Sequence, residues 1–226
     1  MAFMEPKFFQ KHPLFKDLLS LGIFIVAIVL GTVFLNTFIY RSYNVVGSSM
    51  ENTLHGDDRV IVNRAAVSWS HFMGEEYVPE RGQIIVFLNE DEERVKEYKD
   101  AGVNNPMTCG VPDNVSDQYI IKRVIAFPGE RVTVKDGVMK VYADAESTEG
   151  IVYDAEWRVS EDDGPKEHTS GEVDIVVPEG ELFVSGDNRE GSNSWDSRNG
   201  LGTIPLCRVI GPVVLRLFPI DKIRAF

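Results

Sequence analysis

The sequence has 226 residues with 23 basic and 35 acidic side chains, which gives a formal net charge of −12. The first 41 residues hold four of the bases and two of the acids, so the remaining chain stands at −14 and would repel nucleic acid phosphates. Cys109 and Cys207 belong to no CxxC pair, and the four histidines share no ligand spacing. We therefore expect no nucleic acid partner, no metal and no organic cofactor. The sequence does not decide whether the two cysteines form a disulfide.

An apolar, uncharged stretch covers residues 18–39 and predicts a transmembrane anchor. About 20 such residues are needed to cross the hydrocarbon layer as a helix. The stretch ends in bulky residues and Arg41 instead of the small residues of a cleavage site, so we expect it to be retained. The alternative is a buried central helix of a soluble domain.

The charges on either side of this stretch predict its orientation. Three lysines precede it and one arginine follows it. Because positive charge favours the cytoplasmic side, we expect residues 1–17 in the cytoplasm and residues 42–226 outside the cell membrane, in a single-pass arrangement.

Beyond Tyr43 the apolar residues fall into short β-branched runs separated by Gly and Pro, which predicts strands and leaves little room for helices. Polar stretches at residues 89–117 and 143–171 are expected to be surface excursions. The predicted fold is mainly β: one N-terminal transmembrane helix, then a mostly β extracytoplasmic domain with insertions of β and loop structure at about 89–117 and 136–180. The predicted strands are residues 59–63, 83–87, 119–125, 131–134, 138–142, 173–177, 182–184 and 209–217.

One short apolar run has two possible places in this fold. Trp69, Phe72 and Met73 could pack in the core, the commoner role of such residues, or contact the membrane interface, where Trp is favoured. The sequence leaves both open.

A candidate nucleophile lies in the string Val-Val-Gly-Ser-Ser-Met-Glu-Asn-Thr-Leu, which ends at Leu54. A Ser-Met pair alone fits an ordinary turn. A serine hydroxyl is barely nucleophilic at neutral pH, but a neutral lysine amine can accept its proton if burial lowers the pKa of the amine. The candidate base is Lys122 in Tyr-Ile-Ile-Lys-Arg-Val-Ile, where strand alternation places it on one face with Ile120 and Val124. A strand lysine that extends to water is the alternative.

A third string, Ser-Gly-Asp-Asn-Arg-Glu-Gly-Ser-Asn-Ser-Trp-Asp-Ser-Arg, ends at Arg198. Alone it fits a hydrophilic loop with Asx-turns. The three strings together, in this order, resemble the serine, lysine and Gly-Asp-Asn-Arg boxes of the bacterial type I signal peptidases. The resemblance implies a membrane-bound serine endopeptidase that removes N-terminal signal peptides from secreted precursors through an acyl-enzyme.

The resemblance also implies roles for individual residues. Ser49 would be the nucleophile and Lys122 the general base. The oxyanion would be held by the N–H of Ser49 with the region of Gly47, where many family members carry a serine. Ser194 would orient Lys122, inside a hydrogen-bonded support formed by Asp187, Arg189, Asp196 and Arg198.

The implied substrates are secretory precursors with Ala-x-Ala-type cleavage sites. An extended substrate would add as a strand beside the two catalytic segments. We expect the protein to bind the bilayer and to work as a monomer. The expected substrate-binding residues are Val45, Val46, Met50, Leu54, Ile120 and Ile121.

Two rival functions remain at this stage. A self-cleaving repressor is also a serine–lysine peptidase, but it is cytoplasmic and lacks a membrane anchor. An anchored β-rich binding or assembly protein could retain the motifs without activity, although the intact Ser49 and Lys122 argue against it.

Overall fold

The computed structural model of the chain describes residues 13–89, 100, 119–152 and 168–226. Most of the two predicted polar excursions therefore lies outside the described residues. Cys207 is disulfide-bonded, and Cys109, the other cysteine of the sequence, also lies outside them.

The N-terminal part of the described chain is one long helix. Helix α1 covers Pro13–Phe34 and continues as a π-helical turn, Leu35–Ile39. Residues Leu14–Ile39 are long and apolar enough to cross a membrane by length and composition, and none of the apolar window is buried inside the protein. A central helix of a soluble domain would be mostly buried, so that alternative is wrong.

The rest of the described chain is mainly β, which confirms the predicted fold class. A large antiparallel sheet has the strand order β1-β2-β11-β3-β4-β9-β10, and β12 pairs with β11. Its strands are β1 Tyr40–Asn44, β2 Arg59–Asn63, β3 Ile84–Leu88, β4 Tyr119–Ala126, β9 Glu181–Ser185, β10 Ile204–Pro205, β11 Val209–Phe218 and β12 Arg224–Ala225.

A second antiparallel sheet has four strands in the order β7-β6-β5-β8. Its strands are β5 Arg131–Lys135, β6 Val138–Tyr142, β7 Ile151–Val152 and β8 Val173–Val176. The inward residues of this sheet pack with Ile125 of β4 and Phe183 of β9, so the two sheets share one apolar cluster.

Strand β3 shows why the large sheet is stable, because all five of its residues are buried. Alternate side chains point to opposite faces of a strand. Ile84, Val86 and Leu88 therefore join the cluster that contains Met50 and Leu54, while Ile85 and Phe87 join a second cluster with Val184. Each large side chain buried in this way contributes about 1.5 to 3 kcal/mol.

Strand β11 connects the two halves of the large sheet. Its first residues, Val209 to Pro212, pair with β3, and its later residues, Val213 to Phe218, pair with β2. The register shifts within both pairings, and these irregularities allow β11 to pair with β3 at one end and with β2 at the other.

The eight predicted strands agree with the structure to within one residue at each end, but the strands β1, β7, β10 and β12 and one helix were missed. Helix α2 covers Ala65–Met73, where we expected little room for helices. One signal for it was present in the sequence, Gly74, which ends the helix in the left-handed conformation at φ 76°. At the other end the N-cap residue, Arg64, makes no side-chain capping bond, and the side chain of Asn63 accepts a hydrogen bond from the N–H of Ala65 at 2.9 Å.

Candidate active site

The candidate nucleophile lies in the connection between β1 and β2. The ends of this connection are tied by two backbone hydrogen bonds, from Val45 N to Asp58 O at 2.8 Å and from Asp57 N to Val45 O at 3.0 Å. Ser49 is followed by one tight turn in which the N–H of Leu54 donates to the carbonyl of Met50 at 2.9 Å. Met50 and Leu54 are fully buried, so the turn is fixed to the core just beyond Ser49.

Strand β4 supplies the candidate base. The amine of Lys122 lies 2.8 Å from Ser49 Oγ and 3.1 Å from the carbonyl oxygen of Ile121. Lys122 is only 4% exposed, so its amine does not extend to water as a surface lysine would. The structure thus brings together two residues that are 73 positions apart in the sequence.

Burial lowers the pKa of the Lys122 amine from 10.5 to about 8. The carboxylates of Asp196 and Asp187 act in the opposite direction, because negative charge nearby stabilises the ammonium form, and Arg198 lowers the pKa further. Desolvation is the larger effect. A useful fraction of the amine is therefore neutral near physiological pH, as a proton acceptor requires.

A buried ion pair lies beside this contact. The guanidinium of Arg123 donates to both oxygens of Asp187, at 2.7 and 2.5 Å, and both side chains are buried. Asp187 also accepts a hydrogen bond from Thr53 Oγ1 at 2.5 Å, which ties the pair to the Ser49 turn. Burial has the largest single effect and raises the pKa of Asp187. The charges of Arg123 and Arg189 and the hydrogen bonds from Arg123 and Thr53 together outweigh it, so the pKa lies below its usual value.

A second buried pair joins Asp196 and Arg198. The guanidinium donates to both carboxylate oxygens, at 3.1 and 2.8 Å, and Asp196 accepts the N–H of Gly186 at 2.9 Å. Ser194 Oγ is buried beside Asp196, yet among the described residues it makes no hydrogen bond of normal geometry, either to Asp196 or to Lys122. The predicted role of Ser194 in orienting Lys122 stays a prediction.

Gly186 permits the close approach of these segments. A Cβ on Gly186 would lie 2.2 Å from Ser194 Oγ and 2.3 Å from the carbonyl oxygen of Ser49. Both distances are shorter than any real carbon contact, and the second involves backbone that cannot rotate away. Glycine at this position is therefore required for the Ser194 loop to reach the Ser49 turn.

Arg189 is fully buried and connects the site to the small sheet. Its Nε donates to the carbonyl of Gly186 at 2.7 Å, and its Nη1 contacts Met139 Sδ of β6 at 3.6 Å. Nη1 of Arg198 donates to the carbonyl of Arg189 at 3.0 Å. Three of the four residues predicted to support the site, Arg189, Asp196 and Arg198, therefore form a connected, buried set, and the fourth, Asp187, pairs with Arg123.

The predicted substrate-binding residues fall into two groups. Val45, Met50 and Leu54 are buried in the core, so they could contribute only the floor of a binding pocket. Val46, three residues before Ser49, is 91% exposed, and Ile120 and Ile121 are half-buried. Gly47, next to Val46, has φ +87°, which an L side chain rarely adopts.

Sequence reasoning missed two residues that hold the Ser49 turn. The N–H of Asn188 donates to the carbonyl of Ser49 at 3.0 Å, and its side chain donates to that of Ser48 at 3.1 Å. Buried Arg216 of β11 donates to the carbonyl of Thr53 at 3.0 Å. Asn188 belongs to the Gly-Asp-Asn-Arg string and could have been noted, whereas no local signal marked Arg216, 163 residues from its partner.

Comparison with known proteins places the chain in a family. The family model described as signal peptidase, peptidase S26, matches residues 18–218. Signal peptidase I T of Bacillus subtilis (strain 168) is 31% identical over 206 residues, which cover 91% of this chain and 88% of that protein. Signal peptidase I of Bacillus amyloliquefaciens is 30% identical over 200 residues, covering 88% and 87%.

A signal peptidase I from Enterococcus faecalis V583, solved by crystallography, aligns with 61% of this chain and 98% of its own, with 24% identity and a TM-score of 0.35. That score adds nothing to the assignment, which follows from the sequence matches. The chain belongs to the signal peptidase, peptidase S26, family. It is a peptidase of the signal peptidase I type, so the predictions of a hydrolase and of this family are confirmed.

Proposed function

We propose that this protein is a membrane-anchored signal peptidase in which Ser49 is the nucleophile and Lys122 the general base. The observation that carries the proposal is the 2.8 Å contact between Lys122 Nζ and Ser49 Oγ, made by an amine whose pKa is lowered to about 8. Nucleophile and base within hydrogen-bond reach are the geometric signature of covalent catalysis. The family membership supplies the reaction class.

In the first half of the reaction, Lys122 Nζ takes the proton of Ser49 Oγ while the oxygen attacks the carbonyl carbon before the cut. The ammonium then gives its proton to the leaving nitrogen, the C–N bond breaks, and an ester joins the precursor to Ser49. In the second half, the neutral amine takes a proton from water, the hydroxide attacks the ester, and Ser49 Oγ leaves with that proton. All groups required for proton transfer belong to the protein or to water.

The open edge of β4 supports strand addition by the substrate. Within the described chain, β9 pairs with β4 only from Arg123 onward, so residues 119–122 have a strand partner on one side alone, β3. An extended precursor can pair with this edge and place its scissile carbonyl at Ser49. Pockets with room only for small side chains beside the scissile bond would then favour precursors with Ala-x-Ala-type sites.

The apolar helix supports placement at the cytoplasmic membrane. The apolar stretch of residues 18–39 has 22 residues and as a helix spans about 33 Å, close to the roughly 30 Å of a hydrocarbon core. Three lysines precede this stretch, so the N-terminus lies inside and the β domain outside, where signal peptides emerge. Anchoring raises the effective concentration of a membrane-held precursor at the site.

Two adjacent serines allow a sharp test of the nucleophile. Ser49→Ala should lower the rate of precursor cleavage by about 10⁴-fold or more, because the attacking oxygen is lost. Ser48→Ala should cleave at close to the wild-type rate, since Ser48 is exposed and is not in contact with Lys122 among the described residues. The measurement is cleavage of a purified secretory precursor by the full chain in proteoliposomes. If Ser49→Ala cleaved the precursor and Ser48→Ala did not, Ser49 would not be the nucleophile.

The pKa of Lys122 predicts the pH dependence of the reaction. Below a pKa of about 8, each unit of pH lowers the neutral fraction of the amine tenfold. The logarithm of kcat/KM should therefore rise with a slope of one up to about pH 8 and then level off. A rate that is independent of pH below neutrality would show that another group accepts the proton.

A further inference from the structure

Arg41, two residues beyond the end of the proposed anchor, carries a guanidinium that two tyrosine rings hold in place. Its Cζ lies 5.5 Å from the centre of the Tyr43 ring and 5.2 Å from the centre of the Tyr119 ring. The two rings meet edge to face, with their centroids 5.0 Å apart. Within the described residues the guanidinium makes no hydrogen bond and no ion pair. Because its N–H donors lie in its own plane, stacking on the rings fixes the cation and leaves the donors available.

Arg41 lies on the face of the large sheet that carries the floor of the candidate binding site. It pairs with Val62 of β2, and the side chains of directly paired residues lie on the same face. Val62 is fully buried, in the apolar cluster that contains Met50 and Leu54 and against which Tyr119 packs. The guanidinium and the floor therefore share one face of the sheet, with Tyr119 between the floor and the guanidinium.

A precursor reaches this face from the side of the bilayer. Its apolar signal segment precedes the cut and is held in the membrane, so the residues before the cut approach from the end of the anchor, where β1 begins. The open edge of β4 runs from Tyr119, in contact with Arg41, to Lys122, in contact with Ser49. The residues before the cut therefore pass Arg41 first and reach Ser49 last.

Strand geometry indicates which precursor residue meets Arg41. A strand rises about 3.3 Å per residue, so the three steps from Lys122 to Tyr119 span about 10 Å. If the residue just before the cut lies opposite Lys122, the residue opposite Tyr119 stands about four positions before the cut. Alternate side chains share a face, so the side chain five positions before the cut points to the same face as the two small residues of an Ala-x-Ala site. It is the first side chain on that face beyond Tyr119.

We propose that Arg41 binds the side chain of the precursor residue five positions before the cut and selects a carboxylate there, Asp or Glu. The inference rests on the proposed function, in which Ser49 and Lys122 cleave a precursor paired with β4. A guanidinium can donate two parallel N–H···O bonds to a carboxylate, and one that is already held by stacking loses little freedom when it does so. A lysine at the same precursor position would be repelled.

A lipid phosphate is the other anion within reach of an arginine at the end of an anchor. Positive residues beside a membrane span are enriched on the cytoplasmic side, whereas Arg41 follows the span on the outer side. Its contacts with Tyr43 and Tyr119 hold the guanidinium over the β domain, where the open edge of β4 begins. Both observations favour the precursor.

The test uses the full chain in detergent and synthetic precursor peptides that share one Ala-x-Ala site. The peptides carry Glu, Gln or Lys either five or four positions before the cut. With the change five positions before the cut, the wild-type kcat/KM should be about threefold to fivefold higher for Glu than for Gln, the upper range for a partly exposed ion pair, and lowest for Lys. With the change four positions before the cut, where the side chain points to the other face, the three peptides should be cleaved at similar rates.

The ratio between two peptides cancels any change in the overall activity of a variant. Arg41→Gln should bring the Glu-to-Gln ratio to about one, and Arg41→Glu should reverse the order so that Lys is preferred. The matched control is Arg59→Gln, which removes an exposed arginine from the neighbouring strand β2, on the face opposite to buried Val60. This control should keep the wild-type ratio. Added salt should lower the wild-type ratio, because an exposed ion pair is screened.

Each outcome separates this inference from the proposed function. Equal cleavage of the three peptides by the wild type, or an unchanged ratio in Arg41→Gln, would overturn the inference and leave the peptidase proposal intact. A preference for Glu four positions before the cut would also overturn it. Equal cleavage in detergent, with a lower rate for Arg41→Gln only in phosphatidylglycerol vesicles, would assign the guanidinium to lipid phosphate. Failure of the wild type to cleave any peptide would defeat the proposed function and the inference with it.

Discussion

Lys122→Met is expected to abolish precursor cleavage while making the folded protein more stable. The loss of activity should be about 10⁴-fold, the upper range for removal of a general base. The gain in stability has a separate cause. Burial lowers the pKa of the amine from 10.5 to about 8, so the protonated form, which dominates at pH 7, is disfavoured in the fold by about 3 kcal/mol.

The net gain should be about 2 kcal/mol, because the variant also loses the hydrogen bond to Ser49, worth about 1 kcal/mol. The direction of the pKa shift also determines how this gain in stability depends on pH. Between about pH 8 and pH 10.5 the unfolded state binds more protons than the folded state, so wild-type stability rises with pH in this window. Lys122→Met lacks that rise, so its advantage is complete below pH 8 and disappears toward pH 10.5.

Chemical denaturation of the full chain in detergent at several pH values, together with the cleavage assay, measures both effects. Lys140→Met, in strand β6 of the other sheet, is the matched control and should change neither activity nor the pH dependence of stability. Near-normal activity of Lys122→Met would contradict its role as the base. A loss of stability in Lys122→Met at neutral pH would contradict the argument that the buried ammonium group of Lys122 destabilises the folded protein.

Asp187→Asn should have the largest effect on stability. It removes the negative partner of buried Arg123 and leaves a positive charge in the core without compensation. Breaking a buried ion pair from one side costs about 3 to 5 kcal/mol. Asp174→Asn is the control, because the pair of Asp174 with Arg131 is exposed and should contribute little. The measurement is the free energy of unfolding in denaturant.

The same variant should show a changed response to acid. The pKa of Asp187 lies below its usual value in the folded state, so the carboxylate stabilises the fold above the pKa of the unfolded chain, about 3.9, and this contribution is lost as pH falls through the folded pKa. Asp187→Asn should therefore lose less stability than wild type on acidification. Equal losses in the two proteins would show that Asp187 does not carry this contribution.

Much of the fold and part of the site could be predicted because their signals are local. β-Branched runs between Gly and Pro gave the strands, since a strand needs only its own alternation to show its faces. The serine, lysine and Gly-Asp-Asn-Arg strings could be found because each lies within a few consecutive residues. Helix α2 was missed although Gly74 marks its end, because its apolar side chains face away from the domain and so did not match the short β-branched runs around it.

Other features depend on which strands become neighbours. Arg123 is one residue from Lys122 and on the other face of β4, and its role appeared only when β9 brought Asp187 beside it. Arg216 reaches Thr53 because β11 pairs with β2. No pattern in the sequence indicated either contact.

The sequence by itself indicated the apolar helix, the β character of the domain and the candidate serine and lysine, because these signals depend on neighbours along the chain. Only the tertiary structure decided that Lys122 Nζ lies 2.8 Å from Ser49 Oγ and that its pKa falls to about 8. Distance and desolvation are set by segments that are far apart in sequence and adjacent in the fold. Alternation along a strand determines which face of the sheet a side chain points to. The pairing of strands determines which other residues lie on that face.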